Sequence, residues 1–316
     1  MKTAFLFSGQ GAQTPGMGKE LYDNFTAARD VFDRADEALG FSISKLCFEG
    51  GDNLNLTEYT QPAILTHSAA ALAVMRERGF GCDVVAGLSL GEYSALYAAG
   101  AFDFETAVRT VRQRGKFMSE ATPPGFGAMC AIFGLTAAQV EAACEEANTA
   151  DDGEAAYPAN YNAPDQIVIA GTARGVDRAV EKCNEIGAKR AIPLKVSAPF
   201  HTPFLQPAAD NMQTLLETIA VADMRLPVIT NVTADIIPSV EAIKPLLVRQ
   251  VSNPVRWTES VERLVSLGVD TVVELGPGKT LCGFVKKVSR DITLCNVEDL
   301  ASFDKTLMAL SAFAAD

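Results

Sequence analysis

The residues whose types and spacing could do covalent chemistry are Gly87-Leu88-Ser89-Leu90-Gly91-Glu92-Tyr93. Ahead of them runs Asp83-Val84-Val85-Ala86, a β-branched stretch that reads as a buried strand, and from Glu92 to Ala99 runs a helical pattern closed by Gly100. A strand, a Gly-x-Ser-x-Gly and a helix make a nucleophile elbow, in which the serine sits on a strained turn with its hydroxyl projecting. Gly87 and Gly91 stand two residues either side of Ser89, where any side chain would collide with neighbouring backbone. The helix N-terminus supplies free N–H groups and the positive end of a dipole where an oxyanion would form, which makes the Leu90 amide the natural first donor. The bland alternative is a glycine-flanked serine in an ordinary strand-to-helix turn.

A second candidate lies on the helix expected from Asp103 to about Glu120. On a helical wheel Phe104, Ala107, Gly115 and Met118 fall within about 40° of Val111, and Arg114 falls about 60° away, at the edge of that inward face. Arg109, Arg112 and Lys116 cluster on the opposite side and read as solvated charges. An arginine turned inward needs acceptors, because it cannot lose its charge. Two readings are open: an internal ion pair with a carboxylate of the chain, or a substrate that carries a carboxylate.

The elements that must position these groups follow an alternating α/β pattern. Met1–Phe7 reads as a first strand and Ser8-Gly9-Gln10-Gly11-Ala12-Gln13 as a tight loop; it is no dinucleotide fingerprint, since the third glycine is replaced by Thr14. That loop can carry the Gln10 amide towards another strand end. Residues 26–39 and 60–79 read as helices, the second opening at Thr60-Gln61-Pro62 with proline in its first turn, and His67 within it as a packed structural histidine. Residues 127–196 follow the order βαββαβ, with a capping box from Thr136 to Gln139, and form a ferredoxin-like unit set into the larger one. Ser197-Ala198-Pro199-Phe200-His201 returns the chain to the large domain, where a strand over 226–232, helices over 239–251 and 257–267, a strand over 271–275 and a closing strand and helix complete the pattern. Gly276-Pro277-Gly278-Lys279-Thr280 looks like a phosphate loop but has Val273 where a Walker A motif needs glycine.

Composition sets bounds. With 316 residues, 48% hydrophobic and 21% charged, the chain is large enough for a substantial core. Its net charge of −12 argues against nucleic acid and anionic membrane as partners. Seven cysteines stand singly with no C-x-x-C, which points to reduced thiols and a cytoplasmic protein. No signal peptide or membrane span is apparent, and with two histidines and no H-E-x-x-H no metal site is expected.

Taken together, the Phe7–Gln13 and Gly87–Tyr93 stretches, Thr60-Gln61-Pro62-Ala63, Gln113-Arg114-Gly115-Lys116-Phe117-Met118, Pro199-Phe200-His201, Asn253-Pro254-Val255-Arg256-Trp257 and Glu274-Leu275-Gly276-Pro277-Gly278 resemble the malonyl-CoA:acyl carrier protein transacylase family. The likeness runs from first strand to last helix. It implies an α/β-hydrolase-like core (1–125 and 197–316) with the ferredoxin-like small domain (126–196) inserted. It implies Ser89 as acyl acceptor, His201 as base and then acid, and Gln10 with the Leu90 amide as oxyanion hole. Arg114 would hold the malonyl carboxylate, Met118 would line the acyl pocket, the carbonyl of Gln250 would orient the histidine in place of an acidic third member, and Asn160 and Gln61 would be polar lining residues. No cofactor is implied, since the CoA and phosphopantetheine thioesters are substrates; the partners are malonyl-CoA and an acyl carrier protein, and a monomer is expected. Two positions bear on specificity. Leu88 stands where many members have histidine, so no proton carrier is required there, and Phe200 before His201 resembles the malonyl-selective form over the methylmalonyl-selective one. A serine esterase, a polyketide-type acyltransferase and a non-catalytic synthase subunit are the competing readings. Lys189, Arg190, Lys195, Lys286, Lys287 and Arg290 are the basic residues available for carrier docking.

Overall fold

Every residue of the first strand, β1 (Thr3–Phe7), is buried, as a Thr-Ala-Phe-Leu-Phe run must be when helices cover both faces of a parallel sheet. The computed structural model describes residues 2–148, 152–196 and 198–313; Ser197, the expected first residue of the resumed large domain, and the chain ends at Met1 and 314–316 lie outside them. After β1 come α1 (Lys19–Asn24), α2 (Thr26–Leu39), α3 (Ile43–Glu49), α4 (Thr57–Glu77), β2 (Val84–Gly87), α5 (Gly91–Ala99) and α6 (Phe104–Glu120). Then follow β3 (Gly127–Phe133), α7 (Ala137–Ala147), β4 (Ala156–Ala163), β5 (Gln166–Thr172), α8 (Ala173–Glu185) and β6 (Arg190–Pro193). The chain closes with α9 (Gln206–Glu217), β7 (Val228–Ile229), α10 (Val240–Ser252), α11 (Trp257–Ser266), β8 (Thr271–Leu275), α12 (Thr280–Val288), β9 (Thr293–Val297) and α13 (Leu300–Phe313).

Two sheets result. The first is parallel, in the order β7-β2-β1-β8-β9, and the second is antiparallel, in the order β4-β5-β3-β6. In the second, Cys130, Ile132, Ile167 and Ile169 meet Val140, Ala143, Val176 and Ala179 of α7 and α8 in a core of its own. The capping box at the start of α7 forms as expected, with Thr136 and Gln139 exchanging hydrogen bonds. Strand β4 shifts register around Pro158 and Asn160, and there Val255 bonds to Ala159 and Tyr161 across to the large unit. Asn160 thereby faces the cleft between the sheets.

Three elements differ most from the sequence reading. Helix α4 begins at Thr57, so Pro62 sits inside it; a short 3-10 turn (Asp52–Asn55) leads in, and the Thr60 hydroxyl donates to Leu54 O, which fixes the earlier start. The strand expected over 226–232 is only Val228–Ile229, because Asn231 leaves the sheet edge to bond the elbow. The last strand of the βαββαβ unit, expected to run from 189 to its end at 196, is shorter, Arg190–Pro193 at the sheet edge. Among the described residues no helix is long and apolar enough to cross a membrane, and no three His, Cys, Asp or Glu side chains gather to hold a metal ion.

Candidate active site

The end of β2 delivers Ser89 to the cleft, with φ of 54°, a left-handed conformation that a non-glycine residue adopts only where its surroundings over-determine it. The two elbow glycines have a measurable reason. A Cβ on Gly87 would lie 1.9 Å from Gly91 O, and one on Gly91 would lie 2.2 Å from Phe7 O. The turn is pinned from outside by Asn231, whose Oδ1 accepts from Ser89 N (2.6 Å) and whose Nδ2 donates to Gly87 O (2.7 Å). The Leu90 N–H, just ahead of α5, has no hydrogen-bond partner among the described residues.

His201 also has a positive φ, 61°, and its Nε2 lies 2.8 Å from Ser89 Oγ. On the other side of the ring Nδ1 lies 2.8 Å from Gln250 O. A carbonyl only accepts, so Nδ1 carries the proton and Nε2 is left with its lone pair towards the serine. Burial, helped by the nearby Arg114 charge, lowers the His201 pKa to about 4. The imidazole is therefore neutral near pH 7, the form that can take a proton.

Helix α6 is capped by Asp103, which accepts from Thr106 N, and turns Phe104, Ala107, Val111, Arg114 and Met118 inward. Gly115 lets this helix lie against α4, since a Cβ there would meet Thr57 O at 2.5 Å. That approach brings Arg114, wholly buried, to Gln61. Its Nη1 donates to Gln61 Oε1 (2.8 Å), and its Nη2 donates to Gln250 Oε1 (2.9 Å) and Ser89 Oγ (3.1 Å). The Tyr93 ring lies beneath the guanidinium at 5.5 Å. Among the described residues no carboxylate pairs with it, so the internal ion pair does not form. Of the three expected surface charges on α6, Arg109 and Lys116 are exposed, whereas Arg112 is half-buried, stacked 4.6 Å over Phe41 where α2 ends against α6.

These groups share a cavity of about 230 Å³ between the sheets, lined by Gln10, Gln61, Ser89, Leu90, Arg114, Met118, Asn160 and His201 with an apolar wall that includes Leu88, Met129, Val168 and Phe200. Gln10 faces it with Nε2 on the Thr57 hydroxyl at 3.2 Å, and the Met118 sulfur accepts from Gln61 Nε2 at 3.7 Å. Gln250 appears twice, through its carbonyl on His201 and through a side chain whose Nε2 donates to Ser89 O (2.9 Å) and Glu92 Oε2 (2.8 Å). The sequence reading missed that side-chain role, together with Asn231 and the buried carboxylate of Glu92; the available signal was a lone acid near the start of an otherwise apolar helix. Burial raises the Glu92 pKa, opposed by hydrogen bonds from Asn231 N and Gln250 and by the Arg114 charge.

The remaining motifs resolve into structure. His67 is buried with Nε2 on Glu298 O, and burial holds its pKa down to about 4. The Gly276–Lys279 stretch leads into α12, two of whose first-turn amides, Leu281 N and Cys282 N, are taken by Glu274 and not left for a phosphate. Burial raises the Glu274 pKa to about 7.

A serine on a strand-to-helix elbow, a neutral histidine at hydrogen-bond distance and an unpaired helix-terminal N–H are the equipment of acyl transfer. A model of the acyl transferase domain matches residues 4–306, and the chain belongs to that acyltransferase family. It is 48% identical over 310 residues to the malonyl CoA-acyl carrier protein transacylase of Bacillus subtilis (strain 168), spanning 98% of this chain and 97% of that protein. The crystal structure of malonyl CoA-acyl carrier protein transacylase from Clostridium perfringens Atcc 13124 superposes with a TM-score of 0.95 at 44% identity, covering 100% of this chain and 99% of that one. A type II PKS acyl-carrier protein complex with its malonyl-transacylase matches with a TM-score of 0.94 at 42% identity, over 98% of this chain and 100% of the other.

Proposed function

We propose that the protein transfers a malonyl group from malonyl-CoA to the phosphopantetheine thiol of an acyl carrier protein, by way of a malonyl ester on Ser89. The observation that carries the reading is Arg114, a wholly buried cation held, among the described residues, by neutral acceptors alone, with Nη2 3.1 Å from the Ser89 hydroxyl. A substrate carboxylate beside the reacting carbonyl satisfies it as a bidentate partner, displacing acceptors that carry no charge.

In the first half-reaction the Ser89 proton passes to His201 Nε2 as Oγ attacks the thioester carbonyl. The oxyanion is received by the Leu90 N–H and by Gln10, whose amide leaves the Thr57 hydroxyl to reach it. Collapse expels the CoA thiolate, which takes the proton from the imidazolium. In the second half the carrier thiol gives its proton to the same nitrogen and attacks the ester, and Ser89 leaves with that proton. The Gln250 carbonyl keeps the histidine in one tautomer throughout. Met118, Asn160 and Gln61 line the acyl pocket, and Phe200 narrows it in favour of malonyl over methylmalonyl.

The parallel sheet is read as an α/β-hydrolase-like core over 1–125 and 197–316, and residues 126–196 as an inserted ferredoxin-like domain. The antiparallel order β4-β5-β3-β6, with both helices in one core, supports that reading. The seven cysteines, all free thiols, support a reducing, cytoplasmic setting. The test is to supply labelled malonyl-CoA with and without holo acyl carrier protein: the reading expects label on the carrier with little free malonate. Rapid malonate release that the carrier does not suppress would mark an esterase and overturn it.

A further inference from the structure

A buried guanidinium ordinarily stands against a carboxylate, and here one is close at hand without touching it. Glu92 is wholly buried at the start of α5, and the Gln250 amide stands between it and Arg114. Gln250 Oε1 accepts from Arg114 Nη2 at 2.9 Å, and Gln250 Nε2 donates to Glu92 Oε2 at 2.8 Å. Both hydrogen bonds at Glu92 Oε2 are donated to it, the other from Asn231 N at 3.0 Å. Reversing the amide would set its oxygen against the carboxylate and against Ser89 O, and its N–H groups against the guanidinium, so these three partners together fix its orientation. A direct ion pair would occupy the donors that a substrate carboxylate needs, whereas no counter-charge at all would leave a buried cation uncompensated. An amide polarised between opposite charges avoids both.

We propose that Glu92 is a positioning residue that balances the charge of Arg114 at one amide's remove, leaving the guanidinium donors on neutral acceptors that a substrate carboxylate displaces. The inference rests on the reading that Arg114 receives that carboxylate. It has an unusual consequence, that removing an acid strengthens the binding of an acidic substrate. In the empty site Glu92 offsets Arg114, and an incoming carboxylate makes two anions share one cation. Without the Glu92 charge, the substrate becomes the cation's sole counter-ion.

Glu92→Gln keeps the shape and an acceptor oxygen for Asn231 N and Gln250 Nε2. It is also the isostere of a neutral acid, so an unionised Glu92 would make the substitution silent. The expected result is a KM for malonyl-CoA lowered about tenfold, with malonate inhibiting more tightly in parallel and the KM for acetyl-CoA unchanged. The empty variant should melt below the wild type, and saturating malonate should restore much of the loss. Unchanged constants, or KM values rising together for both substrates, would overturn the proposal. Gln250→Ala serves as the second variant, above all if the first does not fold, because it keeps both charges and the main-chain carbonyl but removes the side chain that stands between them. Arg114 and Glu92 can then pair directly, and the malonyl-CoA KM should rise about tenfold relative to the acetyl-CoA KM, whatever loss of the Gln250 side chain costs both substrates in common; an unchanged ratio of the two would also overturn it. Arg114→Ala in the same assay separates the two levels of argument. Equal loss of both substrates there defeats the carboxylate reading itself, whereas selective malonyl loss beside a silent Glu92→Gln defeats only the role of Glu92.

Discussion

Truncating Arg114 to alanine separates a carboxylate receptor from a structural cation. In the empty site its guanidinium makes three hydrogen bonds, to Gln61, Gln250 and Ser89, all to neutral oxygens. A malonyl carboxylate would replace two of these with charge-assisted bonds worth roughly 1.5–3 kcal/mol each, against about 1 kcal/mol for each neutral bond given up. The net is about 1–4 kcal/mol specific to the carboxylate, which corresponds to a fall of roughly 5- to 1000-fold in kcat/KM for malonyl-CoA. Loss of the Ser89 contact falls on every substrate alike, so it drops out of a ratio. Acetyl-CoA brings no carboxylate and in the wild type leaves the guanidinium facing a methyl group; its transfer should be kept or raised. The assay is CoA release with each thioester at matched carrier concentration, with circular dichroism to establish that the variant folds. A proportionate loss with both substrates would refute the reasoning, because it would mean that Arg114 serves only to hold Gln61, Gln250 and Ser89 in place.

Two further predictions concern the base and the elbow. Because burial and the Arg114 charge lower the His201 pKa to about 4, the neutral base persists below the usual imidazole range, and kcat/KM should fall only as pH drops through about 4. Removing Arg114 removes one cause of the depression and should move that limb upward; a wild-type limb at 6.5 or above in the free-enzyme profile would contradict the geometry. In Gly91→Ala the new Cβ would stand 2.2 Å from Phe7 O and 2.9 Å from Phe7 C, so main chain must move. A destabilisation of about 2–4 kcal/mol, read as a melting point lowered by several degrees, with activity lost from the folded fraction, is expected; a wild-type melt and rate would show that β1 and α5 are not in such close approach.

What was legible in the sequence was local. Ser89 announced itself because the elbow needs its glycines within two residues, and Arg114 because a helical wheel spans only four turns. The order of strands and helices through 127–196 could be read from periodicity and the Thr136 capping box. What escaped was held together by bonds between distant segments: Asn231 to Ser89 across 142 residues, and Gln250 to Glu92 across 158. No local pattern records such a pairing. The same cause explains β7, where Asn231 is drawn from the sheet edge to the elbow. It also explains Arg112, whose solvated position on the wheel ignored the neighbouring helix that supplies Phe41. Pro62 misled by its common place in first turns, while the true start of α4 was set by the Thr60 hydroxyl on Leu54.

The central claim, that the acyl group passes through Ser89, is tested most directly by trapping it. The protein is incubated briefly with malonyl-CoA alone, quenched in acid, digested and mapped by mass spectrometry. The account predicts one malonyl group on the peptide that carries Ser89, discharged when holo acyl carrier protein is added before the quench, absent from Ser89→Ala and slow to form in His201→Ala. A malonyl group on another residue, or undiminished transfer by Ser89→Ala with no adduct anywhere, would contradict it.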